Sequence, residues 1–118
     1  MGIGLSKTTE EDMASAKAIV DAAIAENAVM VFSKSYCPFC MKAKRALESV
    51  LPKEKICVME LEMRSDCAAI QDYLLEITGA RSVPRVFIAG ECIGGGDETD
   101  AMVRSGKMKQ LLEAKNIL

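Results

Sequence analysis

Four residues, Cys37-Pro38-Phe39-Cys40, stand between an apolar run at 28–32 and an amphipathic pattern over 38–51. That juxtaposition limits the fold more than any other feature of the chain. A short buried strand must hand over, through Ser33-Lys34-Ser35-Tyr36, to a helix that opens on Pro38. Proline at the first helical position loses nothing, because its missing N–H would have no partner there. Cys37 then falls at the N-cap, facing the free N–H groups of Phe39 and Cys40 and the positive end of the helix dipole. Lys34 adds a nearby cation. Such surroundings lower a cysteine pKa from about 8.5 to about 3.5–7.5. Cys37 is therefore the expected exposed nucleophile. Cys40, one turn inside the helix and more shielded, is the expected resolving thiol, and the two form a redox-active disulfide.

The rest of the composition narrows the chemistry. The 118 residues include five Cys, no His and no Trp, so Cys-His and Ser-His pairs, imidazole relays and imidazole-ligated zinc are excluded. An odd cysteine count forbids complete pairing within one chain. The alternative for Cys37 and Cys40 is half of a zinc site, or two inert thiols; the chain lacks a second Cys-x-x-Cys, and no metal is expected. Lys plus Arg total 15 against 17 Asp plus Glu, a net charge of −2 that offers no nucleic-acid footprint. No signal-peptide pattern or membrane-length apolar run is found, which fits a reducing, cytoplasmic location. Met1-Gly2-Ile3-Gly4-Leu5-Ser6 fits a myristoylation pattern at Gly2; the alternative is a flexible arm over residues 1–11. Acids at Glu10, Glu11 and Asp12 follow where a polybasic anchor would be needed, so membrane association would at most be weak.

Residues 12–118 read as one domain. The spacing predicts helices over 9–27, 38–51 and from a Ser65 cap to Gly79, strands at 28–32 and 55–61, a hairpin of 83–89 and 91–93 turning at Gly90, a glycine loop at 94–96, and helices over 97–104 and 107–115. Apolar faces are expected at Ala16, Ile19, Val20, Ala23 and Ile24, and at Ile70, Tyr73, Leu74 and Ile77. The first two strands should be parallel and the last two antiparallel. The result is an α/β domain with a four-stranded mixed sheet flanked by helices.

Lys34-Ser35-Tyr36-Cys37-Pro38-Phe39-Cys40 resembles the active site of dithiol glutaredoxins, with Phe39 where Tyr is more usual. The similarity continues through Gln71-Asp72-Tyr73-Leu74, Thr78-Gly79-Ala80-Arg81-Ser82-Val83-Pro84-Arg85-Val86-Phe87-Ile88 and Cys92-Ile93-Gly94-Gly95. It covers nearly the whole chain after about residue 14. The resemblance implies a thioredoxin-like fold, glutathione as co-substrate and a groove for it beside Cys37. By the same resemblance, Lys34 and Gln71 match positions that hold the glycine carboxylate, and Phe39 matches the ring lining the groove. Val83, before an expected cis Pro84, matches the backbone that pairs with the cysteinyl part. Gly95, Gly96, Asp97 and Glu98 match the loop and helix start that receive the γ-glutamyl end.

Read without the family, the cations at Lys34, Lys42, Lys44, Arg45, Lys53 and Lys55 on an acidic protein would steer a carboxylate-bearing ligand; an ordinary solvated face is the alternative, preferred for Lys44, Arg45, Lys53 and Lys55. The glycine loop lacks the phosphate-loop frame and supports only an anion seat of backbone N–H groups. One departure stands out: Asp97-Glu98 replaces the family's Ser or Thr followed by Asp, which opens the choice between glutathione and a derivative of it. The implied activity is glutathione-dependent reduction of protein–glutathione mixed disulfides and protein disulfides, by a monomer whose partners are those proteins and a low-molecular-weight thiol. The alternative is a [2Fe–2S] carrier holding a cluster between subunits through Cys37 and glutathione; Pro38 argues against it. Of the other thiols, Cys57 is expected in a buried strand, Cys92 near the glycine loop, and Cys67 at a helix start as a candidate for oxidation.

Overall fold

The computed structural model describes residues 8–118. Helix α1 (Glu10–Glu26) opens at Thr9, whose hydroxyl accepts the Asp12 N–H, and carries three acids in its first turn, where the dipole favours them. Strand β1 (Val29–Ser33) is buried at every residue. Helix α2 (Pro38–Glu48) follows, then a single 3-10 turn at Lys53–Lys55 and strand β2 (Cys57–Glu60). Helix α3 (Cys67–Thr78) leads to the hairpin of β3 (Arg85–Ile88) and β4 (Glu91–Gly94), and helices α4 (Gly96–Ser105) and α5 (Lys107–Ala114) close the chain. The Gly2 modification pattern and most of the 1–11 arm lie outside the described residues.

The sheet has the order β2-β1-β3-β4, with β1 parallel to β2 and antiparallel to β3, and β3 antiparallel to β4. This is the mixed four-stranded sheet expected, and period-two alternation along β1 divides its core. Met30 and Phe32 face α1 and α3, together with Val20, Ile70 and Leu74. Val29 and Val31 face α2 and α5, together with Leu47, Met108 and Leu112. Burying a side chain of this size is worth about 1.5–3 kcal/mol, so both helix layers are held firmly against the strand that feeds the Cys37 loop.

Several boundaries differ from the sequence expectation. Asp66, rather than Ser65, is the N-cap of α3, and its carboxylate makes no cap bond because Arg64 holds both oxygens, at 2.8 and 3.0 Å. Ile77, expected on the buried side of α3, is exposed, because it lies on an open cleft shared with Ile24 and Phe87. Cys57 is half-buried, not buried, because β2 is an edge strand. Gly94 belongs to β4 instead of a loop. The hairpin turns through Ala89 and Gly90, both at positive φ, the conformation whose twist matches its strands.

Candidate active site

Pro38 occupies the first position of α2 and Cys37 its N-cap, in extended conformation. The preceding loop is tied down at both ends. The Cys37 N–H donates to the Lys34 carbonyl at 3.0 Å, and the Ser35 N–H and hydroxyl both donate to the Glu62 carboxylate. Glu62 was not singled out by sequence reasoning; its role depends on contact across 27 positions.

Cys37 is half-exposed and Cys40 buried. No cap hydrogen bond closes onto the Cys37 sulfur; the thiol instead points to the Val83 carbonyl, 3.9 Å away. Burial opposes its ionisation, but the Cys40 N–H, the Cys40 thiol, the Phe39 N–H and the Lys34 charge outweigh it and hold Cys37 below the ordinary thiol value. Cys40 goes the other way. Burial pushes it up and the neighbouring Cys37 adds to that, against relief from the Lys34 N–H, which donates to its sulfur at 3.3 Å, and from the Ser33 hydroxyl. Two thiols one turn apart thus have opposite tendencies: one ready to attack, one held in reserve.

Beside Cys37 lies a cleft of about 310 Å³, lined by Phe39, Val83, Pro84, Gly95, Gly96, Asp97 and Glu98, together with Ser82 and Arg85. Seven sequence-selected residues are thereby brought to one place. The Val83–Pro84 peptide is cis. Arg85 was quoted only within a motif; its guanidinium donates to the Pro84 carbonyl at 3.0 Å and lies against Gly95. At the far wall α4 begins, where first-turn N–H groups have no intrahelical partner and can seat an anion. Glu98 folds back so that its carboxylate accepts the Gly95 N–H at 2.7 Å, and Asp97 pairs with Lys42 of α2 at 2.8 Å. Both acidic side chains of the departing Asp97-Glu98 pair are therefore engaged by the protein itself.

Lys34 and Gln71 stand apart from the cleft lining. Lys34 is half-exposed in the Cys37 loop. Gln71 is almost buried, donating to the Arg81 carbonyl at 3.0 Å and accepting the Cys67 thiol at 3.4 Å. Cys92, expected near the glycine loop, is exposed beside a different cleft, lined by Asp21, Ile24, Asn27 and Phe87; its register opposite Phe87 turns it to the α1 and α3 face. Among the described residues, no group of three or more His, Cys, Asp or Glu side chains is placed to hold a metal ion, and no helix is long and apolar enough to cross a membrane.

Comparison with known proteins gives one answer. The glutaredoxin family model matches residues 29–93. A glutaredoxin of Ricinus communis is 47% identical over 89 residues, covering 75% of this chain and 85% of the relative. The crystal structure of oxidized glutaredoxin 2 from Chlamydomonas reinhardtii superposes with a TM-score of 0.85 at 50% identity, covering 90% of this chain and 98% of that one. A buckwheat glutaredoxin–glutathione complex gives a TM-score of 0.85 at 35% identity, covering 93% and 98%.

Proposed function

This chain belongs to the glutaredoxin family and is a thiol–disulfide oxidoreductase of thioredoxin-like fold, and from that premise we propose that it uses glutathione to reduce protein–glutathione mixed disulfides and protein disulfides. The observation that carries the proposal is the asymmetry of Cys37 and Cys40: a half-exposed thiol favoured as thiolate, over a buried thiol disfavoured as one.

In the first route, the Cys37 thiolate attacks the glutathione sulfur of a mixed disulfide, a bond forms between them, and the target protein leaves as its thiol. A second glutathione then attacks the Cys37 adduct, releases oxidised glutathione and restores the enzyme. In the second route, Cys40 displaces a bound substrate from Cys37, leaving the Cys37–Cys40 disulfide for glutathione to reduce. The cleft beside Cys37 suits the ligand: Val83 offers backbone polar groups, Phe39 an apolar wall and the start of α4 a carboxylate seat. Lys34 would add charge attraction for the other carboxylate. Such a cycle belongs in a reducing compartment such as the cytoplasm.

The test is steady-state turnover of a glutathionylated peptide with glutathione and with larger or more cationic thiols, on the wild type and on Cys40→Ser. The proposal expects Cys40→Ser to keep deglutathionylation with glutathione and to lose protein-disulfide reduction. Equal loss of both activities in Cys40→Ser would overturn the two-route reading, and faster turnover with a cationic thiol would replace glutathione as the co-substrate.

A further inference from the structure

One residue touches both thiols. The Lys34 N–H donates to the Cys40 sulfur at 3.3 Å, and the Lys34 carbonyl accepts the Cys37 N–H at 3.0 Å. Its ammonium adds a charge that favours the Cys37 thiolate. Lys34 lies in the link between β1 and α2, which belongs to neither element. The geometry of such a link depends on the few bonds that tie it to the body of the protein. Ser35, the next residue, makes two of them to a single group. Its N–H donates to one Glu62 carboxylate oxygen at 3.1 Å and its hydroxyl to the other. Paired bonds to a carboxylate fix orientation as well as distance.

Glu62 is itself held in place. It follows Leu61, which is fully buried in the core with Met30 and Phe32 and whose N–H donates to the Ser33 carbonyl at 2.8 Å. The carboxylate thus hangs from a backbone that both packing and strand pairing secure. Among the described residues, no Lys or Arg forms an ion pair with Glu62. Lys44, whose field reaches it from α2, is paired to Glu60 at 2.8 Å. Ser35 is the main partner of the Glu62 carboxylate.

We propose that Glu62 is a positioning residue of the dithiol site: by holding Ser35 it fixes the Lys34 backbone against the two thiols and keeps the Lys34 charge near Cys37. The charge of Glu62 and its bonds have opposite consequences. One negative charge disfavours another nearby, so loss of the charge alone would make Cys37 easier to ionise. Loss of the bonds releases Lys34 and makes Cys37 harder to ionise. The other groups that face Cys37 are held independently of Glu62. They are Cys40 on α2 and the Val83 carbonyl at 3.9 Å, with Arg85 on the Pro84 carbonyl, Asp97 on Lys42 and Glu98 on the Gly95 N–H in the cleft.

This role rests on the reading of Cys37 as the nucleophile, and one experiment separates the two. The reduced full chain is alkylated with iodoacetamide between pH 4 and 9, and the rate at each cysteine is read by peptide mapping. Glu62→Ala should move the Cys37 midpoint upward by up to about one pH unit, the usual spread that protein surroundings impose. Alkylation below the wild-type midpoint then slows by up to about tenfold. Glu62→Gln is equally neutral but keeps an oxygen for Ser35, and should stay near wild type. Ser35→Ala keeps the Glu62 charge and the N–H bond, and should shift upward by less than Glu62→Ala. It also covers the case in which Glu62→Ala fails to fold. A midpoint that falls or stays in Glu62→Ala, an unmoved Ser35→Ala, or a Glu62→Gln displaced as far as Glu62→Ala would overturn the positioning role. Wild-type protein in which Cys40 reacts ahead of Cys37 would overturn the dithiol reading itself.

Discussion

The carbonyl oxygen of Phe39 stands 2.5 Å from the point where a side chain on Gly96 would begin. Helix α4 can start against the first turn of α2 only because residue 96 has no Cβ, and this contact sets the wall of the cleft beside Cys37. The obstructing atoms are backbone and cannot swing aside. Gly96→Ala should therefore cost about 1–3 kcal/mol, the usual range for overpacking, read as a lower urea midpoint. It should also raise the KM for a glutathionylated peptide more than it lowers kcat.

Glu98 bears on the same helix start through a different bond. Its carboxylate accepts the Gly95 N–H at 2.7 Å, so Glu98→Ala should lose about 1 kcal/mol, as for an ordinary hydrogen bond. Glu98→Gln keeps an accepting oxygen and should remain near wild type. Equal destabilisation by both would show that the charge, and not the bond, matters.

Cys37 is held below the ordinary thiol value by the Cys40 and Phe39 N–H groups, the Cys40 thiol and Lys34, in spite of partial burial. Its alkylation by iodoacetamide should stay fast as pH falls through the range where a free cysteine loses its thiolate. Lys34→Gln should move that profile upward in pH, since it removes a charge that favours the thiolate. Cys40 is shifted the other way and should resist alkylation until well above neutrality.

Acid stability follows from three aspartates. The Arg64 guanidinium lowers Asp66, the Thr8 hydroxyl and Arg81 lower Asp72, and Tyr73 and Lys17 lower Asp21. Their folded values lie below those of the unfolded chain, so their contribution is present above the usual aspartate value near 3.9. It is lost as pH falls through the depressed folded values, because the unfolded chain binds more protons in that window. The difference in stability between wild type and Asp66→Asn should thus be largest at neutral pH and shrink on acidification, as measured by urea unfolding at pH 7 and pH 3.

The parts legible in the sequence are those decided locally. The run at 28–32 became β1, Pro38 fixed the start of α2 and put Cys37 at its cap, and Gly79 ended α3 in the left-handed conformation with its N–H on Leu75. The parts not legible depend on groups that meet only after docking. Glu62 anchors Ser35 across 27 positions, and Lys42 reaches Asp97 across 55. Periodicity also could not show that Ile77 lies on an open cleft or that Cys92 turns away from the glycine loop.

The central claim is that Cys37 attacks and Cys40 resolves, and intact-mass analysis with peptide mapping tests it most directly. Cys40→Ser, treated with oxidised glutathione, should retain one glutathione on Cys37 before any adduct forms on Cys57, Cys67 or Cys92. Wild type under the same treatment should instead yield the Cys37–Cys40 disulfide. An adduct accumulating first on another cysteine, or none on Cys37, would contradict the account.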